Sequence, residues 1–271
     1  VVTSYVGTGA RPILSYVTVT DGLRSGVAVM NGAELHSVTA ARNANAGVEV
    51  AAGKLLADDS GAGGRASKFD ANTQHGLLLG GPATTELVNV SLQQNGWEGL
   101  KAAAGTAVRT IGLRNVTAME NTFAGAEIQS GTVTVEGGAY DKNGNAGFRV
   151  TGATSVTAIN AQFNGNATQG LELQCNAAQN HVLKGVVVES NLMNGATWGG
   201  ASLTISASAL RASSFSKNSG AGLFQNTQGV FTLDGATATK NAHGGLIFAP
   251  LTPGVGSGSY PMNLANLSAS T

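Results

Sequence analysis

Apolar and polar residues alternate with a period of two in many short stretches of this sequence. Val48 and Val50 flank a Glu, and Val133 and Val135 flank a Thr. Such alternation, rich in β-branched and aromatic residues, predicts strands that bury one face and expose the other. Helical periodicity is absent from almost the whole chain, so we expect an all-β protein.

Three such stretches make up a unit that returns at intervals of 22 to 29 residues. Each unit carries an Asn, which occurs at Asn43, Asn72, Asn95, Asn121, Asn143, Asn166, Asn191, Asn218 and Asn241. A Gly four positions later recurs with them, at Gly47, Gly76, Gly99, Gly125, Gly147, Gly170, Gly222 and Gly245. After Asn191 we expect a longer turn that reaches Gly199 and Gly200. The return of one unit at such similar intervals predicts a repeat architecture.

The repeat has the size of one turn of a β-solenoid. Three short strands in about 23 residues, returning about ten times, predict a parallel β-helix in which each turn is one rung. Rungs stack about 4.8 Å apart, so equivalent residues form columns, including an aromatic column at Phe69, Tyr140, Phe163 and Phe215. We expect this coil over residues 1–250, and an irregular C-terminal tail or end cap over residues 251–271.

The Asn and Gly columns have a structural explanation. A tight corner leaves backbone groups unpaired, and Asn tolerates the left-handed conformation that corners use. Its side-chain amide can bond the Asn one rung away, which avoids a cost of about 1–3 kcal/mol for each buried unpaired group. The Gly is expected to supply the φ freedom with which the chain re-enters a strand.

These rungs resemble the right-handed parallel β-helix superfamily, which is typified by pectate lyases and many phage tailspikes. The stretch SYVGTGARPIL, residues 4–14, is similar to a segment near the start of many secreted polysaccharide-active members. The resemblance implies a single-stranded right-handed coil of about ten rungs with three short strands per rung. It also implies that substrate lies in a groove on the outer face of the first sheet, which is the sheet whose strands follow the Gly column.

Composition narrows the range of partners. Charged residues make up 11% of the chain, with 15 basic and 15 acidic side chains and no basic cluster, so no nucleic-acid partner is expected. The chain has no apolar run of about 18 residues to span a membrane. Cys175 is the single cysteine, which excludes an internal disulfide framework. Low charge with abundant Asn, Thr, Ser and Gly suggests a secreted bacterial or phage product.

The residue six positions after each Asn is expected to face outward on the first sheet. This column is Ala28, Glu49, Leu78, Lys101, Glu127, Arg149, Glu172, Ser202, Phe224 and Ile247. Its middle is charged on four consecutive rungs. Glu127 and Glu172 are two rungs apart, or roughly 9–10 Å between their Cα atoms, which is compatible with the acid and base of an inverting glycosidase. By resemblance, Arg149 could instead act as the base of a β-helix lyase, with Lys101 completing the centre. The structural alternative is an ion ladder that contributes about 0.2–1 kcal/mol per pair.

Side chains in the neighbouring turns are candidates for substrate binding. Trp97 and Glu98 fall in the turn NGWEG, His75 falls in the preceding turn, and Trp198 falls in the expected longer turn. An aromatic ring on an exposed turn is a common platform for sugar rings, and the alternative is packing of the turn against the coil.

The residue two positions before the ladder Asn gives a further candidate. Asp141, like Asp70 and Asn164, is expected to face outward near the same edge. These side chains could bind Ca²⁺, hydrogen-bond a sugar or simply be solvated. The sequence shows no Cys/His metal spacing and implies no definite cofactor or metal ligand set.

Together these features favour a secreted carbohydrate-active protein that binds and cleaves a polysaccharide as a lyase or glycoside hydrolase. The alternative is a non-catalytic module, such as an adhesin, a carbohydrate-binding scaffold or a tailspike-type structural unit. The partner is then a polysaccharide substrate or glycan ligand, and the assembly a monomer or a homotrimer.

Overall fold

The computed structural model describes residues 2–3, 11–60, 63–103, 109–175, 179–200, 202–225, 229–248, 262–265 and 268–270. Within these ranges the chain is an all-β parallel solenoid of about nine turns, and no helix occurs in them. Every strand pairing that connects two rungs is parallel, because the chain completes one turn before it meets itself again. The predicted fold class is therefore confirmed. No helix in the described ranges is long and apolar enough to cross a membrane.

Three strands contribute to most rungs. The first sheet consists of Val2–Thr3, Val27–Val29, Val48–Val50, Leu77–Leu79, Leu100–Ala102, the start of Ala126–Glu136, the start of Phe148–Ile159, Leu171–Cys175, Ala196–Gly199, Leu223–Gln225 and Leu246–Phe248. The second sheet consists of Ile13–Ser15, Ala33–His36, Gly53–Asp58, Pro82–Val88, Thr110–Arg114, the ends of the two long strands, Asn180–Lys184, Ser202–Ser206, Val230–Asp234 and Met262–Ala265. The third sheet consists of Thr18–Thr20, Thr39–Ala41, Ser67–Lys68, Val90–Ser91, Val187–Glu189, Ser213–Ser216, Ala236–Thr239 and Ser268–Ser270, with single bridges at Thr117, Ala139 and Gln162.

The core is a set of columns of like side chains inside the coil. The predicted aromatic column is buried as expected, and the rings of Tyr140 and Phe163 stack with centroids 5.4 Å apart. Phe148 meets Tyr140 edge to face at 5.2 Å. Burying one such side chain contributes about 1.5–3 kcal/mol, so the repeat of apolar positions supplies most of the driving force for coiling.

The ladder Asn side chains form one continuous hydrogen-bonded column from Asn43 to Asn241. In each step the Nδ2 of one Asn donates to Oδ1 of the Asn one rung further, as from Asn72 to Asn95 at 3.1 Å. The same Oδ1 accepts the backbone N–H of Asn72 at 3.0 Å. The other Nδ2 hydrogen of Asn95 bonds the carbonyl oxygen of Phe69 at 3.1 Å. A buried corner is thereby satisfied without water.

The left-handed residue of this corner is the one before the Asn, and not the Asn itself. Positive φ values of 55 to 63° occur at Arg42, Ala71, Gln94, Glu120, Lys142, Gly165, Ser190, Lys217 and Lys240. No ladder Asn has a positive φ in the described ranges. The expectation that Asn is selected for left-handed geometry is therefore wrong, and the side-chain hydrogen bonds explain its presence.

The Gly column is explained by close approach and not by φ freedom. A Cβ at Gly76 would lie 2.7 Å from the carbonyl oxygens of Gly99 and Phe69 and 2.8 Å from Nδ2 of Asn95. Gly195 holds the equivalent place after Asn191, where a Cβ would lie 2.5 Å from the oxygen of Gly222. The expected longer turn after Asn191 is therefore wrong, because this rung closes like the others.

Two short strands lie beyond residue 250. Met262–Ala265 pairs with Val230–Asp234, and Ser268–Ser270 pairs with Ala236–Thr239, so both continue existing sheets. The remaining residues after position 248, and residues 4–10 of the stretch SYVGTGARPIL, lie outside the described ranges. The domain boundary at residue 250 stays a prediction.

Replacing one ladder Asn should destabilise the coil strongly. Asn121→Ala removes the acceptor of both the backbone N–H and the side-chain amide of Asn95, and the donor to Leu92 O and Asn143 Oδ1. We expect a loss of about 3 kcal/mol or more in the free energy of unfolding, measured by urea denaturation. Asn180→Ala, at a surface hydrogen bond, should cost about 0.5 kcal/mol or less. Equal losses in the two variants would contradict the role assigned to the ladder.

Candidate functional site

The four charged residues occupy consecutive rungs of the first sheet. In the parallel register Lys101 pairs with Glu127, Glu127 with Arg149, and Arg149 with Glu172. We call these four residues the charged stripe. The inward neighbours on both sides of each are buried apolar residues, so period-two alternation places the stripe on the outer face.

The next rung departs from the sequence expectation. Thr197 pairs with Glu172 and extends the column, whereas Ser202 belongs to the second sheet, where it pairs with Asn180. The assignment of Ser202 to the outward column is therefore wrong. This error follows from the longer turn expected after Asn191, which moved the expected start of the strand from Ala196 to a later position.

The charges of the stripe are paired and largely shielded. Nζ of Lys101 donates to Oε1 of Glu127 at 2.5 Å, and Nε2 of Gln129 donates to the same oxygen at 3.0 Å. Nε of Arg149 lies 3.3 Å from Oε2 of Glu172. The side chains of Glu127 and Glu172 are only 12% and 10% exposed, while that of Arg149 is 34% exposed. Such shielded pairs interact more strongly than fully solvated ones.

His75 and Glu98 extend this network into the neighbouring turns. Nδ1 of His75 lies 3.1 Å from Oε2 of Glu98, whose Oε1 lies 3.3 Å from Nζ of Lys101. Burial would raise the pKa of Glu98, but the contact with His75, its own backbone N–H and the charge of Lys101 together lower that pKa to about 2. Glu98 is thus ionised and links His75, in the preceding turn, to Lys101 of the charged stripe. The structure brings His75 of the preceding rung together with Glu98 and Lys101, which are three residues apart in the sequence.

Glu172 has the opposite electrostatic setting. Burial raises its pKa, the positive charge of Arg149 opposes the increase, and the negative charge of Glu127 adds to it. Proton uptake at Glu172 is therefore easier than at an ordinary Glu. A carboxyl group whose pKa is raised, two rungs from a second carboxyl group, is an arrangement that general acid–base chemistry can use.

Two aromatic rings are exposed beside this network. Trp97 is 45% exposed and Phe123 is 46% exposed, and the backbone N–H of Phe123 bonds the carbonyl oxygen of Trp97 on the preceding rung. The indole of Trp97 also meets the ring of His75 edge to face at 5.0 Å. Trp97 therefore lies on an exposed turn, as the sequence predicted.

Trp198 lies inside the coil. It is fully buried in the strand Ala196–Gly199, pairs in register with Leu173, and its ring lies 6.1 Å from that of Phe231. The prediction that Trp198 sits on an exposed turn is wrong, and a buried indole offers no face to a sugar. Gly195, four positions after Asn191, is the sequence signal that indicates the correct register.

Asp141 lies on the third-sheet side of the Asn corner. Its Oδ1 accepts the backbone N–H of Asn164 at 2.7 Å, and Asn164 Oδ1 in turn accepts the N–H of Glu189 at 2.9 Å. Burial raises the pKa of Asp141, although these contacts with Asn164 oppose the increase. This column caps the backbone of the following rung. In the described part of the chain no three His, Cys, Asp or Glu side chains are grouped so as to hold a metal ion.

Sequence reasoning missed Gln129, which orients Glu127. Its position two residues after Glu127 in the same strand was the available signal, because such residues share one face. The surroundings of Glu127 and Glu172 could not be foreseen in this detail, since they depend on the lean of side chains between rungs.

Comparison with known proteins identifies the repeat. Residues 55–210 match the family model described as the right-handed beta helix region, and this range covers more than half of the 271 residues. It includes the whole charged stripe and the turns with Trp97 and Phe123. No curated protein and no solved structure matches the chain.

The low pKa of Glu98 predicts acid sensitivity. Because the folded-state pKa lies near 2 and the ordinary value is 4.5, the stabilisation is complete above pH 4.5 and is lost as pH falls towards 2. The loss should be on the order of 3 kcal/mol. We expect Glu98→Gln to be less stable than the wild type at neutral pH, with the difference shrinking at low pH in urea denaturation. A difference that does not depend on pH would contradict the electrostatic role.

Proposed function

The chain belongs to the right-handed β-helix family, and on this premise we propose that it binds a polysaccharide along the outer face of the first sheet. The observation that carries the proposal is the pair of exposed rings of Trp97 and Phe123, on consecutive turns next to the charged stripe. Rungs repeat about every 4.8 Å, so the two exposed rings lie on neighbouring turns at the same edge of the coil and could together form an apolar platform. Sugar rings present apolar faces that stack on such platforms.

The stripe supplies the polar part of this surface. Arg149 is the most exposed of its four charges, and its pairing with Glu172 is through Nε at 3.3 Å. A guanidinium group binds carboxylates through a planar set of donors, so an acidic glycan is the favoured ligand. Lys101 is already engaged with Glu98 and Glu127, and this leaves Arg149 as the main contact for a uronate.

Binding can be tested with polygalacturonate and alginate as acidic probes and dextran as a neutral one. Trp97→Ala and Phe123→Ala should each weaken binding and raise the dissociation constant about tenfold or more, as expected for loss of an aromatic anchor. Met193→Ala is the matched control, since Met193 is an exposed apolar residue at the same place in its rung, three rungs beyond Phe123 and four beyond Trp97. If Trp97→Ala binds as tightly as Met193→Ala, the platform is not the binding surface.

Cleavage of the bound chain is the second candidate function, and the different settings of Glu172 and Glu127 support it. Glu172, with its raised pKa, would protonate the leaving oxygen. Glu127, held by Lys101 and Gln129, would activate a water. Their separation of two rungs, roughly 9–10 Å between Cα atoms, is compatible with inversion. In a lyase, Arg149 would remove the proton beside a uronate carboxylate.

Product analysis separates these activities. For a hydrolase, Glu172→Gln and Glu127→Gln should each reduce the release of reducing ends about 100-fold or more while binding changes little. For a lyase, products absorb in the ultraviolet as unsaturated uronates, and Arg149→Gln should abolish them. Unchanged activity in both Glu variants and in Arg149→Gln would overturn the assignment to this stripe. Binding without any product would identify a non-catalytic module.

The location and the oligomeric state of the protein belong to the same proposal. A polysaccharide ligand is consistent with a protein that is secreted by a bacterium or carried by a phage, and with an adhesin or tailspike-type module if no cleavage occurs. Light scattering distinguishes a monomer from a homotrimer.

A further inference from the structure

A cleft of about 480 Å³ opens on a different face, where the second sheet turns into the third. We call it the corner cleft. Most of its lining is polar, with side chains contributed by Lys68, Asp70, Asn89, Ser91, Gln93 and Asn115. These residues lie on three consecutive rungs, and the volume is in the range of ligand-binding pockets.

Asp70 is held rigidly in this cleft. Its Oδ1 accepts the backbone N–H of Gln93 at 2.8 Å, and the hydroxyl of Ser91 lies 2.8 and 2.9 Å from its two oxygens. Nε2 of Gln93 donates to the same hydroxyl at 3.0 Å. Two hydrogens thus occupy a carboxylate that has about four acceptor sites, so acceptor capacity remains for a ligand.

A chain of amides fixes the opposite side of the cleft. Nδ2 of Asn89 donates to Asp59 at 2.9 Å, and Nδ2 of Asn115 donates to Oδ1 of Asn89 at 3.2 Å. Both Asn residues have left-handed backbones, with φ of 53 and 51°. The direction of these bonds orients each amide, and Asn115 at the end of the chain is exposed. The side chains are therefore placed before any ligand arrives, which lowers the entropy cost of binding.

The chemistry of the lining selects an uncharged polyhydroxyl ligand. The cleft carries one positive side chain, Lys68, and one negative side chain, Asp70, together with amides and hydroxyls that both donate and accept. The charges of Lys68 and Asp70 offset each other, so the cleft does not favour an ionic ligand, and the residues that line it include no aromatic ring on which a base could stack. We propose that the corner cleft is a second saccharide-binding site, and that it takes neutral sugars through hydrogen bonds to their hydroxyl groups.

This site goes beyond the binding surface on the first sheet. The Asn corner lies between the third sheet and the first, so the two surfaces face different directions and hold different chemistry. The first sheet offers aromatic faces and a guanidinium group, and the corner cleft offers mainly polar groups. A polymer or a branched glycan held at both surfaces would be retained more strongly than at either alone.

Amide chemical-shift titration with maltose and lactose tests the site, with glucuronate as the acidic probe. We expect saturable shifts at Ser91, Gln93 and Asn115 with the neutral sugars. Asn115→Gly should weaken this binding about tenfold. Gly occupies the equivalent corner at Gly137, Gly185 and Gly235 with the same backbone conformation, so the variant should fold.

Asn160→Gly is the matched control. Asn160 lies in the same column two rungs beyond Asn115, with φ of 55°, and does not line the cleft. In this variant the shifts at Ser91 and Gln93 should saturate at the same concentration of neutral sugar as in the wild type. Three results would each overturn the proposal, namely no shifts at the cleft with either neutral sugar, equal affinity in the two Gly variants, or shifts with glucuronate alone.

Discussion

The hydrogen-bonded column of Asn side chains is the constraint on which the rest of this structure depends. Each amide joins two rungs and also satisfies backbone groups at a corner that is closed to water. The spacing that results is so close that no Cβ fits four residues later, so Gly follows every Asn of the ladder. The left-handed turn falls on the residue before the Asn. One interaction therefore determines three positions in each rung.

A rigid corner makes the residues around it repeat in space as well as in sequence. Positions two, three and six residues after the Asn form columns at the edge and on the outer face of the first sheet. The residues at these positions differ from rung to rung. In one rung these positions hold Trp97, Glu98 and Lys101. Together with His75 of the preceding rung, these side chains form one network. Function in such a solenoid is thus carried by the exceptions to the repeat.

Ion pairs restrict some of the charged side chains in this network more than others. Lys101 and Glu98 are held by contacts on two sides, which stabilises the turns and leaves their charges little freedom. Arg149 and Glu172 are less constrained, since one is partly exposed and the pKa of the other is raised by burial. Recognition of a glycan by aromatic rings and a guanidinium group requires only that these groups be accessible. Catalysis requires in addition that Glu172 meet a leaving group.

The sequence by itself determined the solenoid, because columns of Asn and period-two alternation are local patterns that only stacked strands satisfy. It also placed the charged stripe and Trp97 correctly, since both lie a constant distance from a ladder Asn. Only the tertiary structure decided the place of Trp198, the role of the Gly column and the pairing of the charges. The longer turn expected after Asn191 covered the residues that form the strand Ala196–Gly199, so one misjudged turn placed the buried Trp198 at the surface. The need for Gly and the pKa shifts of Glu98 and Glu172 depend on burial and on atoms of neighbouring rungs, which no local pattern records.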